Sequence, residues 1–581
     1  MIASRPVARA LLLALATLVA LPAAAVQIRE VRIAGVEDEL ADNVRGRISL
    51  AQHPPSETLT EARLEYLVEQ APEEARRALE PFGYYDAEVA VTVQPGRNGA
   101  GVRVDLRIDP GEPVRVRERR VAIGGPAAVD APLAGLVGDF EPAVGHVFDH
   151  QRYEASKSAI QRALMSRGYF EARLEQARVE VTRATRSADI TLAWDSGPRS
   201  HFGTLQFTGS HVDPAILHSR SEIEPGTPFD QAELLKLHQQ LLELDYFSLI
   251  DVQPLLAEAS GEPPQVPIEI ALQPAKRSVY RAGVSYGTDS GAGIRLGFDR
   301  RWVNRRGHKL SSELEFGQRR SIFATQYRIP AFARIPGWWA FGVLARRETG
   351  GAIDTDIAGL QVTRSFELLD DPWSAEFHVQ REHFEGQYTT LVYPALRHER
   401  KRMDEPLYPR RGYGLSTQLR AGDGAIGSQV DFLQLAVQAR WVRGLGERQR
   451  ILLRGEIGRT WGERLERLPP SLRFYAGGDR SVRGYGYQEL GPRGEDDRIL
   501  GGRNLLVASA EFEHMFGERW GAALFVDAGN AFNGQDFDPA VGVGAGLRWR
   551  SPIGPVRLDL GHGLDSPRRG LRLHLTIGPQ L

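Results

Sequence analysis

From about residue 279 to the C-terminus, apolar and polar positions alternate with a period of two, which puts successive side chains on opposite faces of a strand. Leu433, Leu435, Val437, Ala439 and Trp441 interleave with Gln434, Ala436, Gln438 and Arg440. Val541, Val543, Ala545, Leu547 and Trp549 interleave with Gly542, Gly544, Gly546, Arg548 and Arg550. Leu571, Leu573, Leu575 and Ile577 do so with Arg572, His574, Thr576 and Gly578. Turn residues separate the segments, and no helical period interrupts about 300 residues of this pattern. With aromatic residues near strand ends, that extent favours a membrane barrel over a soluble sandwich. At about 19 residues per strand and loop, the segment holds roughly 16 antiparallel strands with a polar, arginine-bearing lumen.

The first half carries a different signal. Phe82-Gly83-Tyr84-Tyr85-Asp86-Ala87 returns as Arg167-Gly168-Tyr169-Phe170-Glu171-Ala172 and, more loosely, as Leu244-Asp245-Tyr246-Phe247. Each copy ends a segment with helical spacing (61–79, 151–165 and 231–244) and leads into alternating strands such as 87–93 and 102–108. Each unit opens on a strand, near 28–33, 119–123 and 204–207. The pattern predicts a β-α-α-β-β unit of roughly 80 residues, three times over. Pro110-Gly111 and Ser196-Gly197-Pro198 fall where linkers belong. The expected division is therefore 26–112, 113–199 and 200–277, followed by a barrel over 278–581. Short mixed sheets leave an edge that can accept a client strand, although they can equally serve as spacers.

Composition narrows the compartment. Arg5 and Arg9 precede an apolar run over 10–21, and Pro22-Ala23-Ala24-Ala25 supplies small residues, the pattern of a secretory signal cut between Ala25 and Val26. The run is short for a spanning helix, and no later stretch of about 18 apolar residues exists. With 72 basic and 74 acidic residues, the chain has no bulk affinity for nucleic acid. It has no cysteine, so neither a disulfide framework nor a thiolate metal site is available.

Motifs with chemical potential read as structure. Gly283-Val284-Ser285-Tyr286-Gly287 matches a nucleophile elbow in letters, but it sits in an alternating strand with no helix after it. His378 and His383 are five apart on a strand pattern and face opposite sides, a poor metal pair. Glu495-Asp496-Asp497 reads as a solvated charge run. No phosphate-cradling loop or nucleotide fingerprint occurs, so no catalytic residue, cofactor or metal is expected.

One stretch stands apart: Gly477 to Gly491, which is too glycine-rich for a helix and too polar for a core strand. Inside it, Arg483 sits between Val482 and Gly484-Tyr485, a charged fork placed for a specific partner. A charge pointing into a lumen needs counter-charges. Glu511 in Ala508-Ser509-Ala510-Glu511-Phe512 and Asp527 in Phe525-Val526-Asp527-Ala528-Gly529 supply them, being carboxylates among apolar strand residues.

Those residues carry a resemblance. Arg483-Gly484-Tyr485 in a glycine-rich loop, Glu511 and Phe525-x-Asp527-x-Gly529 resemble the Omp85 superfamily. So do Pro409-Arg410-Arg411-Gly412-Tyr413 and Ser551-Pro552-Ile553-Gly554-Pro555-Val556-Arg557-Leu558-Asp559, and the three repeats resemble its POTRA domains. Three repeats, the chain length and the Ile577-Gly578-Pro579-Gln580-Leu581 terminus are most like the TamA branch. The resemblance implies an outer-membrane barrel with periplasmic POTRA domains. It would assist insertion of autotransporters and other outer-membrane proteins, with a TamB-like partner docked at the first POTRA domain and a possible part in lipid transport between membranes. A two-partner-secretion-type or other Omp85 translocating pore is the alternative. The implied lateral seam joins the first strand (about 279–287, with Val284 and Tyr286) to the last (about 571–578, with Leu573, Leu575 and Gly578). Pro579, lacking an N–H, and Gly578 weaken ladder pairing there.

Overall fold

The computed structural model describes residues 25–54, 57–95, 101–332, 335–552, 554–565 and 570–577. Ala25 and Val26 open the first strand, Ala25–Ala34; the leader before them, and Gly578 and Pro579 at the far end, lie outside the described residues.

The chain divides into two compact units. One ends at Thr204 and adds Ile223–Leu235 and Pro254–Ile268. The other comprises Leu205–Glu222, Lys236–Gln253 and Glu269–Leu581.

The first sheet has the order Thr58–Thr60, Ala25–Ala34, Val102–Asp109, Glu88–Pro95, with a parallel central pair. The short edge strand Thr58–Thr60 has too few residues to declare an alternation, and the sequence did not reveal it. Helix Glu61–Leu79 starts where the Thr60 side chain accepts a hydrogen bond from the Arg63 N–H. Leu64, Leu67, Ala71, Ala75 and Ala78 then recur at helical spacing, and that stripe is buried on the sheet. The second sheet has the order Arg115–Gly124, Ser187–Asp195, Arg173–Thr182, again with a parallel first pair. Helix His150–Ser166 buries Tyr153, Ile160 and Leu164 against it, around Trp194. The third sheet has the order His201–Thr208, Gln265–Pro274, Phe247–Pro254. Three β-α-α-β-β POTRA-type sheets thus precede the barrel.

The repeated Gly-Tyr motif is a joint. Gly83 takes a φ of +89° and Gly168 a φ of +88°. A Cβ on Gly83 would meet Val147 at 2.8 Å, and one on Gly168 would meet Phe229 at 2.7 Å. The Val114 N–H donates to the Gly83 carbonyl at 2.8 Å, and the Ser200 N–H to the Gly168 carbonyl at 2.9 Å. Each motif therefore seats the end of one helix on the start of the following repeat. In the third copy Asp245 takes the positive φ, and the Tyr246 hydroxyl donates to the Gly307 carbonyl.

The barrel is a sixteen-stranded sheet running from Ser278–Gly287 to Leu571–Ile577, with every strand paired to its sequence neighbour. Its outer face is apolar: Val284, Phe316, Leu360 and Leu524 are all exposed. Glu382, Gln434, Glu513 and Asp527 are buried on the inner side, as period-two alternation dictates. Among the described residues no ladder joins the first strand to the last.

Candidate functional site

The connection from the eleventh barrel strand (Gln449–Gly462) to the twelfth (Asn504–Met515) occupies 463–503 and folds back on itself. Bridges between Phe474 and Gly502, Ala476 and Leu490, and Arg493 and Ile499 hold its two limbs together. Leu465, Leu468 and Leu472 pack with Leu391, Tyr393 and Phe432 of the barrel wall. The Ser471 N–H and hydroxyl both donate to Glu382. A loop that buries apolar side chains against the inner wall is part of the lumen.

At its tip Arg483 is 4% exposed and surrounded by acceptors. Its Nε and Nη2 form a fork on Asp527 at 2.7 and 3.0 Å, and its backbone N–H reaches the same carboxylate at 3.0 Å. Nη1 donates to Glu511 at 2.6 Å and to Asp559 at 3.1 Å. The guanidinium lies 3.5 Å from the ring centroid of Phe525, a cation–π contact on the same strand as Asp527. Three carboxylates from the twelfth, thirteenth (Trp520–Phe532) and fifteenth (Gly554–Gly563) strands thus meet one arginine from the loop. Two further arginines join the group: Arg548 binds Glu511, Glu513 and Asp559, and Arg450 binds Glu513. Every charge in this group is nearly dry and has an opposite partner, as burial requires.

The floor beneath the tip is glycine. A Cβ on Gly542 would overlap the Arg483 carbonyl oxygen, one on Gly561 would lie 2.7 Å from the Gly484 N, and one on Gly563 would lie 2.7 Å from the Tyr485 ring. Gly484 has a φ of +95°, and its own Cβ would meet Gly563 N at 2.6 Å. These glycines on the fourteenth strand (Ala540–Ser551) and the fifteenth let loop backbone lie on strand backbone. The Tyr485 hydroxyl then donates to the Val541 carbonyl at 3.3 Å.

Arg483, Gly484, Tyr485, Glu511 and Asp527 are therefore in one place. Asp559, Glu513 and Arg548 belong there too and were not singled out from sequence. Asp559 carries the signal that marked Asp527, a carboxylate between apolar strand residues (Leu558 and Leu560). Of the seam residues, Val284, Tyr286 and Leu573 face outward and are exposed, and Leu575 is half-buried. Ser285 lies in strand Ser278–Gly287, with no helix after it, so the elbow-like motif has no elbow. His378 is bonded to Glu376 and His383 packs against Tyr388 with tilted rings, so the two share no site. Asp289, Asp479 and His574 bring ligand-type atoms within 4.8 Å of one another. Both ring nitrogens of His574 are nevertheless engaged, one by Asp479 and one by the Gly484 N–H, which leaves no lone pair for an ion.

Comparison with known proteins follows the two halves. A family model of the Omp85 superfamily domain matches 303–580. A model of the first POTRA domain of TamA matches 30–110, and a POTRA model described as a surface antigen variable number repeat matches 136–194. The chain is 26% identical over 378 residues to outer membrane protein assembly factor BamA of Nitratidesulfovibrio vulgaris, covering 60% of this chain and 46% of that one. It is 22% identical over 560 residues to BamA of Neisseria meningitidis serogroup B, covering 83% and 68%. The chain thus spans about half the length of the first relative and about two thirds of the second. In fold it is similar to the crystal structure of Haemophilus ducreyi BamA lacking POTRA domains 1–3, with a TM-score of 0.67 at 16% identity over 80% of this chain and 99% of that one.

Proposed function

Because the chain belongs to the Omp85 superfamily, with its barrel in the outer membrane and its POTRA domains in the periplasm, we propose that it is the barrel subunit of a translocation and assembly module. In this reading it assists insertion of autotransporter-type and other outer-membrane proteins and works with a TamB-like partner at the first POTRA domain. The TamA-type match over 30–110 favours this branch over a two-partner-secretion pore.

The observation that carries the mechanism is the barrel's closing edge. Fifteen neighbouring strand pairs share ladders, but the first and last strands share none among the described residues. A strand edge with unpaired N–H and C=O groups is a template for another strand. Client strands therefore add at this edge and leave sideways into lipid, with no covalent chemistry.

Cysteine pairs placed along 284–287 and 573–575, in a chain that has no other cysteine, test the idea. Oxidation should stop client insertion into vesicles, and reduction should restore it. Insertion at the parental rate with the edge locked would overturn the mechanism.

A further inference from the structure

The glycine-rich loop makes a second attachment, four residues before Arg483 and at the barrel's closing edge. Asp479 accepts hydrogen bonds from the Thr288 hydroxyl at 3.0 and 3.1 Å, and Thr288 stands in the turn that follows the first barrel strand. The same carboxylate accepts from Nδ1 of His574 on the last strand. The ring orientation fixes these roles: Nε2 accepts from the Gly484 N–H at 3.0 Å, so Nδ1 carries the proton and donates. The Asp479 N–H in turn donates to Asp289 at 2.7 Å, again in the turn after the first strand. Gly478, with a φ of +107°, allows this approach, since a Cβ there would lie 2.5 Å from the Asp289 carboxylate. The Thr288 hydroxyl oxygen also accepts from the Leu575 N–H of the last strand at 3.3 Å.

The turn after the first strand and the last strand, which share no ladder among the described residues, are thus joined by one loop carboxylate as well as by the direct Thr288–Leu575 bond. His574 is 2% exposed, so its bonds are shielded from competing water. Further along the loop, Glu489 accepts from Arg572 at 3.1 Å, a further loop-to-last-strand contact. Among the described residues, Asp479 is the loop side chain whose hydrogen bonds reach both sides.

We propose that Asp479, with Thr288 and His574, is a clasp that sets the closed state of the barrel seam, so that release of the lumenal loop and opening of the seam are one event. The proposal rests on the seam reading above and assigns the positioning residues that govern it. Arg483 fixes the loop to the twelfth, thirteenth and fifteenth strands, each of which is paired to both of its neighbours. Asp479 fixes it to the two elements that must separate.

Spin labels at Val284→Cys and Leu573→Cys read the gap directly, because both positions are exposed and neither takes part in the clasp. Pulsed dipolar spectroscopy on the full chain in vesicles should give one short distance for the parent. Asp479→Ala should add a longer component several-fold above the parental level, and Thr288→Val a smaller one. Superimposable distributions for the parent and both variants would overturn the clasp. Heat-modifiable electrophoretic mobility identifies folded barrels, and if Asp479→Ala fails that check, Thr288→Val decides. Client insertion measured on the same vesicles separates the two ideas. A wider gap with unchanged insertion leaves the clasp standing and sinks the seam function, whereas an unchanged gap with impaired insertion does the reverse.

Discussion

Arg483 shows what one buried charge demands of its neighbours. It is held by a fork on Asp527, single bonds to Glu511 and Asp559, and the face of Phe525. Removing the cation takes from Asp527 its direct ion pair and leaves Glu511 and Asp559 paired with Arg548, so Arg483→Ala should cost about 3–5 kcal/mol. Arg483→Lys keeps the charge but loses the planar fork and should recover only part of it. The temperature at which the barrel loses heat-modifiable mobility measures both, and a parental value for Arg483→Ala would remove this group from the account of stability. The glycine floor makes a complementary prediction without touching a charge. Gly542→Ala puts a methyl group where the Arg483 carbonyl lies, an overpacking that should cost about 1–3 kcal/mol and expose 463–503 to protease before the barrel unfolds. Alternation on the strands revealed Glu511 and Asp527 because a carboxylate among apolar residues must turn inward. Of the three floor glycines at 542, 561 and 563, only Gly542 was visible, as a polar-side partner of the same alternation. Their role was not, because it depends on backbone from a loop some sixty or more residues earlier in the chain.

The joint between the first two repeats is an element with a pH response. Burial is the main cause that lowers the His150 pKa below its ordinary value, and burial pushes Tyr85 up to about 12. Tyr85 therefore keeps its proton and donates to Nε2 of a neutral His150, at 2.7 Å. A histidine whose folded pKa lies below its unfolded value binds fewer protons when folded. Its contribution to stability is intact above about pH 6.5 and is lost as the pH falls through that value toward the folded pKa. Protection from hydrogen exchange over 80–86 and 112–118, referred to the intrinsic amide rate at each pH, should therefore fall between pH 7.5 and pH 5.5, and His150→Phe should flatten the response. Equal protection at both pH values in the parent would contradict it. Recurrence of Gly-Tyr at the end of the first two helical segments, and of Asp-Tyr at the end of the third, was legible in the sequence. That the motif seats one repeat on the following one was not, because Gly83 and Val114, or Gly168 and Phe229, meet only after the intervening strands have folded.

At the scale of the molecule, the third repeat differs from the first two. Its residues Leu205–Glu222 and Lys236–Gln253 belong to the same compact unit as the barrel. There the Asp213 N–H donates to the Arg305 carbonyl at 2.8 Å, Arg301 pairs with Asp245 at 2.9 Å, and the Tyr246 hydroxyl bonds Gly307. His211 packs against Trp302 with tilted rings whose centroids are 3.8 Å apart. Residues 301–308 form the connection between the second and third barrel strands, so this repeat is built onto the barrel's own turn. Among the described residues, the barrel's ladders all lie within 278–577. Deleting 26–112 should therefore leave heat-modifiable barrel stability at the parental level while abolishing co-purification of a large inner-membrane-anchored partner from envelopes. Extending the deletion through 277 should lower the temperature at which the barrel unfolds, because it strips Tyr246 and His211 from the turn they cover. Retention of the partner after the shorter deletion would place its docking surface elsewhere. Parental stability after the longer one would mean that the third repeat's bonds to residues 301–308 carry no weight in holding the barrel.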